Sequence, residues 1–242
     1  MRSFVLPALA GAALSLSAAH ADVISLQASR DNTLFESTSG ATSNGAGPNV
    51  YAGRNSQGAL RRALLRFDLS AIPAGATITG VSLTLFASQT QGPAVEMGLH
   101  RTLADWGEGT SSSMGGQGAP SQPGDATWIH TFFNASLWAT SGGDFASPAS
   151  ATQSVFEAGS YTWNSTAALV ADAQGWLNSP ASNFGWTLAG GESVIGTAKR
   201  FESRENAILA NRPVLNVEYI PAPHAAGFLT LLGVAALRRR RA

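Results

Sequence analysis

No cysteine occurs among the 242 residues, so neither a disulfide nor a thiolate-bound metal braces the fold, which must stand on its own apolar core. Histidine is nearly as scarce. Only His100 and His130 fall between residues 22 and 220, too few for a zinc site built from three or four clustered histidine or cysteine ligands. There is no Gly-x-Ser-x-Gly, and a serine triad would need one of those two histidines placed as its base. Each histidine is read as a strand residue with a satisfied hydrogen bond. No internal repeat of about 20–50 residues is present, which sets solenoids and propellers aside.

Charge is also sparse, at 12% of residues, while glycine numbers 26. With abundant serine and threonine, that composition describes short strands joined by many turns rather than long helices. Arg2 and the four arginines at 238–241 belong to the two ends of the chain. Setting them aside leaves 10 basic against 15 acidic residues over 22–220, a balance of −5. An acidic domain lacks the electrostatic footprint of nucleic-acid binding. About 200 residues are enough to bury a self-sufficient core.

Residues 1–21 have the parts of a secretory signal: Arg2, an apolar core over 4–16, and Ala19-His20-Ala21 as a small-x-small box, with cleavage expected before Asp22. The other end mirrors this. Pro221-Ala222-Pro223 precedes an apolar run over 225–237 and then Arg238 to Arg241. As a helix that run rises about 20 Å, short of a hydrocarbon core of about 30 Å. The arginines would hold the end in the cytoplasm with the domain outside. The tail resembles the PEP-CTERM sorting signal of Gram-negative bacteria, with Ala222 where that family usually has glutamate. The resemblance implies an exosortase-like processing protease as partner, transient membrane contact through the tail, and an extracellular or cell-surface location. The expected division is therefore 1–21 signal peptide, 22–220 domain and 221–242 sorting tail.

Within the domain the strongest local signals have period two. Residues 78–85 place Val81, Leu83 and Leu85 on one face and Ser82 and Thr84 on the other, as a half-buried strand does. Residues 65–69 and 215–219 alternate likewise. Shorter strands are expected at 23–28, 95–101, 127–133, 184–188 and 197–204, and strands this numerous predict a sandwich. Between 166 and 177, Leu169, Val170, Ala173, Trp176 and Leu177 recur on one helical face, so a single amphipathic helix is expected there, capped by Ser165 and followed by Pro180. Residues 37–49 and 110–125, rich in Gly, Ser and Pro, are expected to be loops.

Several side chains invite a chemical reading. Asp105 and Glu108 flank Trp106, and paired acids beside aromatics serve glycoside hydrolysis. Acids next to turn glycines also cap turns or bind calcium, so the sequence fixes no cofactor and leaves structural calcium as the candidate. Trp176 and Trp186 fit buried faces. Trp106, Trp128, Trp138 and Trp163 suit either the core or a platform on which sugar rings stack. Basic groups gather at Arg61, Arg62 and Arg66, and again at Lys199, Arg200 and Arg204 beside Glu202 and Glu205. In a strand, Arg200, Glu202 and Arg204 share one face and Lys199 points the other way. That pattern serves an ion-pair ladder, or recognition of an acidic sugar by arginine forks.

Asp31-Asn32-Thr33-Leu34, the run from Arg62 to Leu69, Leu103 to Gly109, Gly124 to Trp128, Gly142 to Phe145, Asn183 to Trp186 and Phe201 to Asn206 together resemble the DNRLRE domain family. This family is similar to carbohydrate-binding module family 96. The resemblance implies an all-β, jelly-roll-like antiparallel β-sandwich and a binding function toward polysaccharide. Its sites carry over onto Arg62, Arg66, Lys199, Arg200 and Arg204. The expectation is an exported, non-catalytic polysaccharide-binding protein of the cell surface or matrix. The alternatives are a structural surface protein without a small ligand and a polysaccharide-cleaving enzyme, kept open because a few family members disaggregate a cell matrix.

Overall fold

The structure, a computed structural model, describes residues 20–222. Most of the signal-like segment and most of the tail lie outside the described residues. The first strands are β1 (Asp22–Phe35), β2 (Thr42–Ser43), β3 (Asn49–Arg54), β4 (Leu60–Phe67), β5 (Thr77–Thr90) and β6 (Val95–Arg101), with alternation clearest in β5 and five successive buried positions in β3. A stretch with little regular structure follows, holding the short β7 (Ala119–Pro120), β8 (His130–Phe132) and β9 (Ser136–Leu137). After it come β10 (Ala151–Val155), β11 (Gly159–Trp163), helix α1 (Ala167–Asn178), β12 (Trp186–Gly190), β13 (Lys199–Glu202) and β14 (Val214–Ile220). Among the described residues the fold is all-β with one short α-helix, as the composition predicts.

Among the described residues every strand pair is antiparallel, and the strands form two main sheets and two small two-stranded ones, β2 with β7 and β8 with β9. In one main sheet, β11 lies along one edge of β5 while β14 and then β13 follow each other along the opposite edge. The other runs β10, β6, β12, β4. Two strands pass between the sheets. β1 pairs with β14 through Asp22 to Gln27, shifts register after Ala28, and continues beside β4 to Phe35. β3 pairs with β13 and then turns its Gly53 and Arg54 onto β4. Gly53 makes that crossing at φ 113°, where a Cβ would come within 2.8 Å of the Ala198 backbone, so only glycine fits without strain.

Between the sheets lies the main core, which includes Leu65, Phe67, Leu83, Leu85, Trp163, Trp186, Phe201 and Leu215. Each such aliphatic side chain contributes about 1.5–3 kcal/mol by leaving water. Helix α1 closes one end by burying Leu169, Ala173 and Trp176, and Trp176 meets Trp186 edge-on at 4.5 Å. The cap is Thr166, whose hydroxyl accepts from Leu169 N at 3.0 Å. Ser165, the expected cap, instead accepts from Val81 N at 3.1 Å and ties the helix entrance to β5.

The excursion between β6 and β10 is the largest departure from the sequence pattern. It folds back over the outer face of the second sheet and creates a second core of Leu34, Leu64, Trp106, Ala126, Trp128 and Trp138. The expected strand over 127–133 reduces to β8. The two expected loops are ordered against each other, since β2 pairs with β7 through Thr42–Pro120 and Ser43–Ala119. Asn32 organises this contact from inside, its amide donating to Glu108 O at 2.8 Å and its Oδ1 accepting from Ser43 Oγ at 3.0 Å.

Candidate functional site

Where β3, β13 and the end of β5 lie side by side, register decides which side chains meet. Arg200 stands opposite Tyr51 on one side and Gln89 on the other, so the three form a cross-strand row. The guanidinium of Arg200 donates to Ser88 Oγ at 2.9 Å. This row borders a groove of about 200 Å³ that also takes in Arg61, Gln91 and Lys199. Three basic residues and no acidic one line it among the described residues, in a domain where acids outnumber bases. Its remaining polar groups are amides and hydroxyls, which suit the hydroxyls of a sugar.

The two other cations act from behind. Arg61 lies with its guanidinium 4.8 Å over the Phe35 ring and donates to Leu60 O at 2.7 Å. Burial lowers its pKa from the usual arginine value. Lys199 has no solvent exposure, and its ammonium donates to the carbonyls of Gln91 at 2.6 Å and Pro93 at 3.1 Å. With no acid against it, burial pushes the amine pKa down. Burial likewise raises the Tyr51 phenol, against the opposing pull of Arg200.

The remaining sequence-predicted residues lie elsewhere. Arg62 makes a two-pronged contact with Glu192, Nε to Oε1 at 2.7 Å and Nη2 to Oε2 at 2.9 Å. It also lies 5.0 Å over the rings of both Trp128 and Phe145, fastening the outer layer to β4. Arg66 faces Asp105 at 3.5 Å, and Arg30 faces the same carboxylate at 3.8 Å. Arg30 and Arg66 border a larger, more apolar groove of about 470 Å³ floored by Ile72, Trp176 and Leu177. Arg204 lies past the end of β13, in the turn that follows, so it does not share a strand face with Arg200. Glu202 bonds Asn49 Nδ2 at 2.7 Å, and also Asn206, rather than any arginine.

Arg204 belongs instead to an acidic centre. Its Nε lies 2.9 Å from Glu108 Oε1 and 3.0 Å from Glu205 Oε1. Its main-chain N–H donates to Asp31 Oδ2 at 2.7 Å, while Glu108 Oε1 also accepts from Asp31 N at 2.9 Å. Asp31 is fully buried, and burial first, then Glu205, holds its carboxyl well above the usual range. Burial also raises Glu108 and Glu205. Among the described residues, Asp31, Glu108 and Glu205 are the three acids whose oxygens approach closely enough to hold a metal ion. Asp105 and Glu108 therefore do not act as a pair: the first turns to Arg66 and Arg30, the second to this centre.

All six tryptophans are buried, the most exposed being Trp128 at 8%. The indole N–H groups of Trp106, Trp138 and Trp163 donate to main-chain carbonyls of Phe184, Thr127 and Met97. The sugar-platform reading of Trp106, Trp128, Trp138 and Trp163 is thus replaced by a core role. Both histidines are satisfied, His100 on Ala146 O and His130 on Thr127 Oγ1, each at 2.9 Å. Sequence reasoning passed over Tyr51, Gln89 and Gln91, which carry no motif of their own and meet only through strand register.

A comparison with curated proteins gives no match. A family model does match, over residues 23–138, a segment supplying β1 to β9. The later strands interleave with it: β12 inserts between β4 and β6, and β14 between β1 and β5. Over residues 23–138 the chain is similar to carbohydrate-binding module family 96, and this likeness points to carbohydrate as its ligand.

Proposed function

We propose that this chain is an exported, non-catalytic polysaccharide-binding protein whose domain over 22–220 takes an acidic glycan in the groove beside Arg200. The family likeness carries the carbohydrate reading. Because β12, β13 and β14 complete the sheets begun by the matched segment, the DNRLRE-like unit is taken as extending to residue 220. The basic, acid-free lining of the groove favours a uronate or similarly charged sugar. Arginine forks match carboxylates in geometry as well as charge.

Arg200 is the direct contact in this reading, with Tyr51, Gln89 and Gln91 reading hydroxyls. Lys199 and Arg61 contribute field and support. Arg62 and Arg204 are already committed to Glu192, Glu108 and Glu205, and Arg66 faces Asp105, so they shape the domain rather than the ligand. In this reading the signal-like segment at 1–21 and the PEP-CTERM-like tail at 221–242 support export to the outside of a Gram-negative cell, with an exosortase-like protease acting on the tail.

Affinity electrophoresis or calorimetry with a uronate polymer tests this, with a neutral glucan in parallel. Binding to the uronate should weaken steeply as salt rises, since exposed charges are screened beyond about 8 Å at physiological ionic strength. The neutral glucan should bind weakly or not at all. Equal, salt-independent binding of both polymers would reject an acidic ligand, and no binding across a glycan array would leave a structural surface protein as the reading.

A further inference from the structure

The acidic centre at Asp31, Glu108 and Glu205 holds more negative charge than its surroundings balance. Each residue offers a carboxylate oxygen, and the three oxygens lie within 4.8 Å of one another. Like charges this close in a partly buried setting cannot all stay ionised without compensation. The Arg204 guanidinium contacts two of the three. Arg30, the next cation, is directed to Asp105 at 3.8 Å and to the Trp106 carbonyl at 3.1 Å. Three carboxylates against one guanidinium leave a formal −2 at one point of the structure.

A second observation is independent of the charge count. Asp31 Oδ1 and Glu205 Oε2 are buried and have no hydrogen-bond partner among the described residues. Asp31 has no solvent exposure, and its other oxygen is already taken by the Arg204 N–H. Buried carboxylate oxygens without a partner are costly, because the desolvation penalty is not offset. These two belong to the same set of three acids, so the unmet valences converge on the centre that lacks positive charge.

The donor set is all oxygen, with no imidazole or thiolate, which selects hard cations. Calcium binds oxygen at about 2.3–2.6 Å, so ligands on opposite sides of one ion stand about 4.6–5.2 Å apart. Three oxygens within 4.8 Å fit a single coordination sphere. We propose that Asp31, Glu108 and Glu205 form a calcium site that pins β1, the loop after β6 and the turn after β13 to one another. The ion supplies the two missing positive charges. Arg204 holds the glutamates from outside the coordination sphere. This inference does not depend on the glycan reading. The rival arrangement is a proton kept on Asp31 in place of the metal.

Calcium chloride titrated into the chelator-stripped full chain, followed by calorimetry and thermal unfolding, decides between them. The expected result is a saturable heat with one ion per chain and a Tm about 5–10 °C higher at a hundredfold excess over Kd. Asp31→Asn and Glu205→Gln should each lose both responses. In chelator, Asp31→Asn should keep or raise its Tm, because it removes a buried charge. The absence of heat and Tm shift in the native chain overturns the proposal, as does an undiminished calcium response in either variant. An equal response to magnesium overturns the choice of ion. If Asp31→Asn does not fold, Glu205→Gln decides alone.

Discussion

The main-chain N–H of Arg204 donates to Asp31 Oδ2 at 2.7 Å, joining a turn near the end of the domain to the first strand across 173 positions of sequence. The same arginine's side chain holds Glu108 and Glu205. Replacing it by alanine leaves three acids facing one another. Arg204→Ala should lose about 1.5–3 kcal/mol of stability in chelator, toward the lower end because the side chain is partly exposed. Denaturant unfolding with and without calcium measures this, and added calcium should restore part of the loss. A variant as stable as the native chain in chelator would mean that the arginine does not offset the acids.

Arg200 and Arg62 should separate binding from folding. Arg200→Ala removes one charge-assisted contact to a uronate, about 1.5–3 kcal/mol or roughly ten- to a hundredfold in affinity, with little change in Tm. Arg62→Ala breaks the fork to Glu192 and uncovers Trp128, so it should cost about 3 kcal/mol of stability and leave the folded protein's affinity nearly unchanged. Calorimetry paired with thermal melts reads both quantities. The reverse pattern would move the site from the groove to the outer layer.

Lys199 gives a pH signature. Burial lowers its folded-state pKa below the unfolded value, so native Lys199 releases its proton before the unfolded chain does. Its charge therefore costs stability at neutral pH. That cost is relieved as pH rises from the folded pKa toward the unfolded one, and the relief is lost again as pH falls through the folded pKa. Lys199→Met should flatten the alkaline part of the stability–pH curve. An unchanged slope in urea melts across that range would show that the ammonium is solvated.

The ends of the chain make separate predictions. The first strand opens at Asp22, paired with Tyr219, and β14 ends at Ile220. Deleting 221–242 should therefore leave a single cooperative unfolding transition, and loss of cooperativity would assign the tail to the core. Protein recovered from outside the cell should begin at Asp22 on N-terminal sequencing, and an intact precursor start there would exclude a cleaved signal.

The sequence alone determined the elements with a clear local pattern, whereas β3, β10 and β11 carry no such mark. Alternation over 78–85 and 215–219 and helical spacing over 166–177 depend on neighbours a few positions apart, and local sterics turn such patterns directly into strand or helix. The absence of cysteine and the shortage of histidine likewise narrowed the chemistry without any fold. Tertiary structure decided the rest, because sheet pairing is set by burial summed over the whole chain. Only the folding of the 102–146 excursion over Leu34 and Leu64 turned Trp106, Trp128 and Trp138 into core. Only register placed Tyr51 and Gln89 beside Arg200, and only the crossing of β1 between sheets brought Asp31 to Glu108 and Glu205. A strand pattern says which residues share a face, but the partner that face meets lies tens of positions away and carries no local mark.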